Sequence, residues 1–188
     1  MKSLDIASAK RLMNPKRDIL IVSPYHPLRV DPGDIGIDLP TKERTVLDNF
    51  SSQRIATGVK VVLPYGVGGF VSRRSGADGI VIDNSPGVID PSYRGEIKVI
   101  VRLVNKQAAV DSGMEDLPFD GIVIPEGWRL AQLTLVKVIM PLLEEHMCVG
   151  RIYYSEDREL YRQLAEIFPT KRGEGGFGRT GRRWKGEI

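Results

Sequence analysis

At 188 residues, with 41% hydrophobic and 27% charged residues, the chain has the composition of one globular domain with additions, able to bury a core, and not of a disordered polymer. No run approaches the ~18 uncharged apolar residues of a membrane span, and Met1-Lys2-Ser3-Leu4-Asp5 lacks a signal peptide's apolar region, which points away from membrane insertion and export. A single cysteine, Cys148, excludes an intrachain disulfide and fits a reducing, cytoplasmic compartment, while two histidines, His26 and His146, argue against a zinc site or a Ser-His nucleophile. The net charge of +3 is unevenly spread: the segment from Lys171 onward carries +4, interleaved with glycines.

In chain order, residues 1–20 show only a weak helical pattern through Leu4, Ile6, Leu12 and Met13. Ile19-Leu20-Ile21-Val22 predicts a strand closed by Ser23-Pro24. The acidic, turn-rich run from Asp31 leads into a short strand ending at Leu39-Pro40, and Arg54 to Pro64 predicts another strand with a break at Gly58. Gly68-Gly69-Phe70-Val71 runs into Ser72-Arg73-Arg74-Ser75-Gly76. Two β-branched runs, 79–82 and 97–101, flank Ser85-Pro86-Gly87-Val88-Ile89-Asp90-Pro91-Ser92-Tyr93-Arg94-Gly95-Glu96, and together predict a long β-hairpin.

Residues 105–120 are polar and loop-like, Ile122-Val123-Ile124 is a short strand, and Leu130 to Val138 a long one. One helix stands out, capped by Ser155, with Leu160, Leu164, Ile167 and Phe168 on one face and Pro169 as its stop. Many short strands and few helical periods predict an all-β sandwich or barrel.

The chemistry concentrates in the hairpin. A tight hairpin offers backbone N–H and C=O groups to a flat polar ring such as a pyrimidine, with Asp90 at the turn and Tyr93 three residues on. Taken alone, the stretch also fits an ordinary hairpin with a turn-favouring aspartate. Four further segments decide the matter: Pro32-Gly33-Asp34-Ile35-Gly36-Ile37-Asp38-Leu39, Arg74-Ser75-Gly76, Gly127-Trp128-Arg129-Leu130-Ala131-Gln132-Leu133 and Arg172-Gly173-Glu174-Gly175-Gly176-Phe177-Gly178-Arg179-Thr180-Gly181. With the hairpin as third member, the order and wording of these five segments resembles the five-motif signature of the deoxyuridine triphosphatases (dUTPases).

The resemblance implies a jelly-roll-like β fold, to which the one short helix read above is added in an insert, and a homotrimer whose composite sites each draw on all three subunits. It implies Mg²⁺-assisted hydrolysis of dUTP to dUMP and pyrophosphate. Asp90 matches the general base, a carboxylate already ionised at neutral pH given a reference pKa of ~3.9. Tyr93 matches the residue under the deoxyribose, and Asn84 with the Gly87, Val88 and Ile89 backbone matches the uracil-reading wall. Arg74, Ser75, Gly76 and Gln132 match phosphate-binding groups. Asp38 matches a first-motif aspartate, an outer-shell partner of Mg²⁺-bound water, and equally fits an Asx-type turn.

The glycine-rich end matches a flexible arm, residues 171–188, that closes over the site of a β domain spanning 1–170. In it Arg172 would meet the γ-phosphate, Phe177 stack on uracil and Thr180 add a phosphate bond, with Gly176 and Gly178 giving close approach.

Arg73 departs from the pattern, standing where proline usually precedes Arg-Ser-Gly, as does Ile35 where a small residue is usual. Residues 105–120 and 140–169 are longer than the minimal enzyme needs. The second stretch leaves two accounts open, extra packing or an element that binds a regulatory protein partner. A dCTP deaminase would want a glutamate beside the base and usually lacks the Gly-Gly-Phe-Gly arm, and a nucleic-acid role for the basic tail would show steep salt dependence.

Overall fold

In a computed structural model that describes residues 4–26, 28–29, 31–49, 51–138 and 151–176, the apolar runs form short strands with three helices among the described residues. The order is α1 (Ile6–Leu12), β1 (Ile19–Val22), β2 (Gly36–Pro40), β3 (Thr45–Asp48), β4 (Gln53–Ala56), β5 (Lys60–Val62), β6 (Val67–Arg73), β7 (Ile80–Ile82), β8 (Gly87–Ile89), β9 (Lys98–Leu103), α2 (Lys106–Asp111), β10 (Glu115–Asp116), β11 (Gly121–Ile124), β12 (Arg129–Lys137), β13 (Ile152–Ser155) and α3 (Arg158–Ile167). The strands make four small sheets, β13-β1-β5, β10-β11-β3, β2-β12-β6-β8 and β4-β9-β7. Short, largely antiparallel strands around a shared core form the jelly-roll-like β fold. No helix among the described residues is long and apolar enough to cross a membrane.

The uninterrupted apolar run of β1 has a simple cause. Successive side chains of a strand point to opposite faces. Ile19 and Ile21 enter the main core with Leu39, Leu47, Val61, Val99 and Leu133. Leu20 and Val22 enter a second core made by Leu4, Ala9, Met13, Leu160, Leu164 and Phe168. Both faces are therefore buried, and polar residues have no place in the strand. At ~1.5–3 kcal/mol for each large apolar side chain buried, this second core is what holds α3 against β1.

The structure adds helices to the sequence expectation. The weak pattern near the N-terminus is α1, capped by the Asp5 carboxylate, which accepts from Ser8 N–H at 2.7 Å. The expected loop at 105–120 contains α2, capped by the Asn105 side chain, and β10. Asp157, not Ser155, caps α3, its Oδ1 accepting from Glu159 and Leu160 N–H; Ser155 ends β13 and its Oγ is spent on the Leu4 carbonyl and Asp157 N–H. The stretch from Arg54 to Pro64 is two strands in different sheets, β4 against β9 and β5 against β1.

The long hairpin becomes a fork. Its outer ends pair as expected, β7 with β9 through Ile80↔Leu103 and Ile82↔Val101. Beyond Asp83 the chain leaves β9, and β8 crosses to β6 through Gly69↔Ile89 and Val71↔Gly87. The Asn84 side chain takes over where the ladder stops: its Oδ1 accepts from Ile100 N–H at 2.7 Å and its Nδ2 donates to the Lys98 carbonyl at 3.2 Å. A Cβ on Gly87 would lie 2.8 Å from the Asn84 carbonyl oxygen, so this crossing needs glycine.

Candidate active site

The fork encloses a cavity of about 280 Å³. One wall is β8, an edge strand with β6 on one side only, so its second row of backbone groups borders the opening. Asn84, Ile97 and Lys98 form the facing wall, with Tyr93 and Gly176 on the floor. Tyr93 is buried, its hydroxyl donating to the Glu96 carbonyl at 2.8 Å, and burial first, then the charges of Glu174 and Glu96, push its phenol above the ordinary range. Asp90 follows β8 directly and keeps 43% of its side chain exposed while pairing with the Arg172 guanidinium. That guanidinium lies 5.4 Å from the Tyr93 ring centroid.

A second cavity, of about 390 Å³, opens at the far end of β6 and is lined by Asp38, Arg74, Ser75, Arg129 and Gln132. Asp38 joins its two cations, Oδ1 to Arg74 Nε at 2.7 Å and Oδ2 to Arg129 Nη1 at 3.1 Å. Gln132 stands opposite Asp38 on β2 and Ser72 on β6, its Nε2 donating to Ser72 Oγ at 3.2 Å. A Cβ on Gly36 would meet Gln132 Oε1 at 2.6 Å, so glycine leaves the amide its place. The Arg74–Ala77 turn carries Ser75 and Gly76. Arg73 closes it with its Nη1 donating to the Ala77 carbonyl at 2.7 Å, a side-chain clamp where proline was expected.

The two cavities are not continuous within one chain. About six strand rises separate Gly68, at the Asp90 end of β6, from Arg74, or ~20 Å. Asp90, Tyr93, Asn84, Gly87, Val88, Ile89, Arg172 and Gly176 are brought together at one end, and Asp38, Arg74, Ser75, Gly76 and Gln132 at the other. Phe177, Gly178 and Thr180 lie outside the described residues, as does 139–150 of the later insert. The described remainder of that insert spends its apolar face inside the chain, on α1 and β1.

Sequence reasoning missed several residues. Arg129 sits within a quoted motif, but its approach to Asp38 depends on a cross-strand register that no local pattern reports. Arg94 is 4% exposed; its Nε donates to the Phe168 carbonyl and its Nη1 to the Pro91 and Tyr93 carbonyls, and burial pulls the guanidinium down to about 10. Lys60, also buried, pairs with Glu174 at 2.5 Å and lies 4.7 Å from the Tyr161 ring centroid.

Among the described residues no group of three or more His, Cys, Asp or Glu side chains is placed to hold a metal ion. The donor set of the second cavity suits a cation that arrives on phosphates. Two bonds from arginines leave lone pairs on the Asp38 carboxylate for a metal-bound water.

The dUTPase family model matches residues 25–115. A deoxyuridine 5'-triphosphate nucleotidohydrolase of Clostridium kluyveri is 36% identical over 158 residues, 82% of this chain and 89% of that protein. One of Streptomyces coelicolor is 35% identical over 158 residues, 82% of this chain and 70% of its own. Among solved structures, a Staphylococcus bacteriophage 80alpha dUTPase with dUpNHpp is 25% identical over 82% of this chain and 90% of that one, with a TM-score of 0.51. Another structure of that phage's dUTPase, 23% identical over 68% of this chain and 95% of its own, has a TM-score of 0.55, a likeness of fold alone. Five ordered motifs, a β fold that brings described residues of each to one of two cavities, and relatives matched over most of their length agree: the chain belongs to the dUTPase family.

Proposed function

We propose that the chain hydrolyses dUTP to dUMP and pyrophosphate, with Asp90 as general base. The carrying observation is the fork, which sets an edge strand, a buried tyrosine ring and an accessible carboxylate around one nucleoside-sized cavity. The free edge of β8 offers alternating donors and acceptors to uracil, while cytosine presents the reversed pattern and thymine adds a methyl group against a backbone wall. The Tyr93 ring lies under the deoxyribose, where a ribose 2′-OH would clash.

Asp90 accepts a proton from a water that attacks the α-phosphorus in line. The new P–O bond forms as the bond to pyrophosphate breaks, and the proton passes to solvent. Arg74, Ser75, Gly76 and Gln132 hold the phosphates, with Asp38 orienting Arg74 and Arg129. Mg²⁺ bound with the substrate would be held through its water shell by Asp38 and would supply positive charge to offset that of the phosphates.

A triphosphate is far shorter than the ~20 Å between Asp90 and Arg74 on one chain. The reading therefore requires the cradle of a second copy beside Asp90, as in a homotrimer with composite sites. Residues 1–170 then form the β domain and 171–188 the arm, with Phe177, Gly178 and Thr180 on the nucleotide. The internal packing of β13 and α3 supports the packing account of that insert over partner binding.

The test is pyrophosphate release with Mg²⁺ from dUTP, dCTP, dTTP and UTP, for the native chain and Asp90→Asn. Turnover confined to dUTP, and reduced at least ~10²–10⁴-fold in the variant with dUTP binding retained, is expected. Ammonia release from dCTP, or no turnover of any nucleotide by the folded protein, would refute the reading.

A further inference from the structure

The Tyr93 ring owes its pose to a side chain that does not line the nucleoside cavity. The Tyr93 hydroxyl donates to the Glu96 carbonyl at 2.8 Å. Gly95 lies against that bond, since a Cβ there would sit 2.5 Å from the hydroxyl oxygen. The ring is thus held at one end by its own backbone and at the other by the Glu96 peptide, and its tilt follows the position of that peptide.

The peptide has an anchor of its own. Glu96 Oε1 accepts from the N–H of Gly58, 38 residues upstream in the link between β4 and β5, at 2.8 Å. Glu96 Oε2 lies 4.0 Å from Lys42 Nζ, and the Glu96 side chain is 14% exposed. A hydrogen bond to a carboxylate belongs to the strong class, and more so where water is scarce. Backbone ties continue from the next residue: Ile97 N–H donates to the Val59 carbonyl at 2.8 Å, and Thr57 Oγ1 donates to the Ile97 carbonyl at 2.8 Å. Those ties do not involve the Glu96 carboxylate, so the segment keeps its course without it.

The ring also has somewhere to go. Lys42, Glu96 and Tyr161 line a further cavity of about 430 Å³. Tyr93 and Lys98 line both this cavity and the nucleoside cavity, so the Tyr93 ring stands between the two. A ring with open space behind it excludes a substrate group only while its tether is fixed.

We infer that Glu96 is a specificity-determining positioning residue: its carboxylate, seated on the Gly58 N–H, holds the Tyr93 ring where a ribose 2′-OH would clash. The inference rests on the dUTP reading above and deepens it. Glu96 touches no substrate atom and acts through the Tyr93 hydroxyl. Without the carboxylate the ring leans into the further cavity, and the 2′-OH gains room while Asp90 and the phosphate cradle are unchanged.

The experiment measures kcat/KM for dUTP and for UTP, with Tm alongside, in the native chain, Glu96→Ala, Glu96→Gln and Glu96→Asp. The preference for dUTP should fall about 10-fold in Glu96→Ala, the scale of one lost charged hydrogen bond. Glu96→Gln keeps an acceptor oxygen at the same reach and should hold the preference within about 3-fold. Glu96→Asp keeps the charge but is one methylene short, and should behave as Glu96→Ala. This conservative pair decides the matter even where Glu96→Ala fails to fold. Tyr93→Phe cuts the tether at its other end, so it should lower the preference alike, and joining it to Glu96→Ala should add nothing. An unchanged preference in Glu96→Ala and Glu96→Asp, with Tm reduced or with both substrates slowed equally, would make Glu96 merely structural and overturn the inference. Loss of the preference in Glu96→Gln as full as in Glu96→Asp would overturn it too. A native chain with no preference for dUTP over UTP would overturn the dUTP reading itself, and the inference with it.

Discussion

Removing either member of the Lys60–Glu174 pair breaks the same contact, but the two losses should differ. Lys60 exposes 8% of its side chain and Glu174 54%. In Glu174→Ala the ammonium stays buried, with the Tyr161 ring face 4.7 Å away as its remaining favourable contact in the pair. Leaving a buried charged donor without its acceptor costs ~1–3 kcal/mol. In Lys60→Met the carboxylate returns to water, and a half-exposed pair is worth only ~0–1 kcal/mol after solvent screening. The methionine also packs on the Tyr161 ring. At roughly 2–4 °C per kcal/mol for a domain of this size, Glu174→Ala should lower Tm by ~2–12 °C and Lys60→Met by at most ~4 °C. The assay is thermal unfolding at neutral pH, with protomer concentration and salt held fixed. The double variant should unfold near Lys60→Met alone. A Lys60→Met variant less stable than Glu174→Ala would refute the reasoning, since it would mean that the buried ammonium is not what the pair satisfies.

Two further outcomes follow from the fork and from the buried phenols. Asn84→Ala strips partners from the Ile100 N–H and the Lys98 carbonyl, and should cost ~1–3 kcal/mol while raising KM for dUTP; an unchanged urea midpoint with unchanged KM would remove Asn84 as the splint. Burial raises the phenol pKa of Tyr93, Tyr154 and Tyr161 above the ordinary value of 10, so above that pH the unfolded chain releases protons that the folded chain keeps. Their contribution to stability is complete below pH ~10 and is lost as pH rises beyond it. Tm measured from pH 8 to 11 should therefore fall at the alkaline end, together with a late rise in phenolate absorbance, and a phenolate signal complete before unfolding would contradict this.

Much of the candidate site was legible as sequence because each motif is a continuous run whose turn chemistry is local. Arg74-Ser75-Gly76 forms its turn through a local hydrogen bond from Ala77 N–H to the Arg74 carbonyl, and Asp90 directly follows the short run Gly87–Ile89. Pairing was less legible. The pattern of 79–101 reports strands and turns, but not that β8 leaves β9 for β6, because that choice is made by Gly69 and Val71 far upstream. The parallel join of β1 to β13 has no local signature either, and neither has the burial of Arg94 and Lys60, residue types expected at the surface. Ser155 and Asp157 are both competent caps, and the choice between them was decided by the Leu4 carbonyl that claims the serine hydroxyl.

The join of β1 to β13 also governs the order in which the chain can be completed. The Asp18 carboxylate that receives Arg151 N–H is 133 residues away from it, so at ~5–20 residues per second the partner leaves the ribosome roughly 7–27 s later. Throughout that interval the β1 face that carries Leu20 and Val22 has only Leu4, Ala9, Met13 and Val62 to cover it, since α3 supplies the other half of that core. A nascent chain stalled soon after β12 should therefore remain open to protease at Ile19–Val22 while the main sheets are already protected.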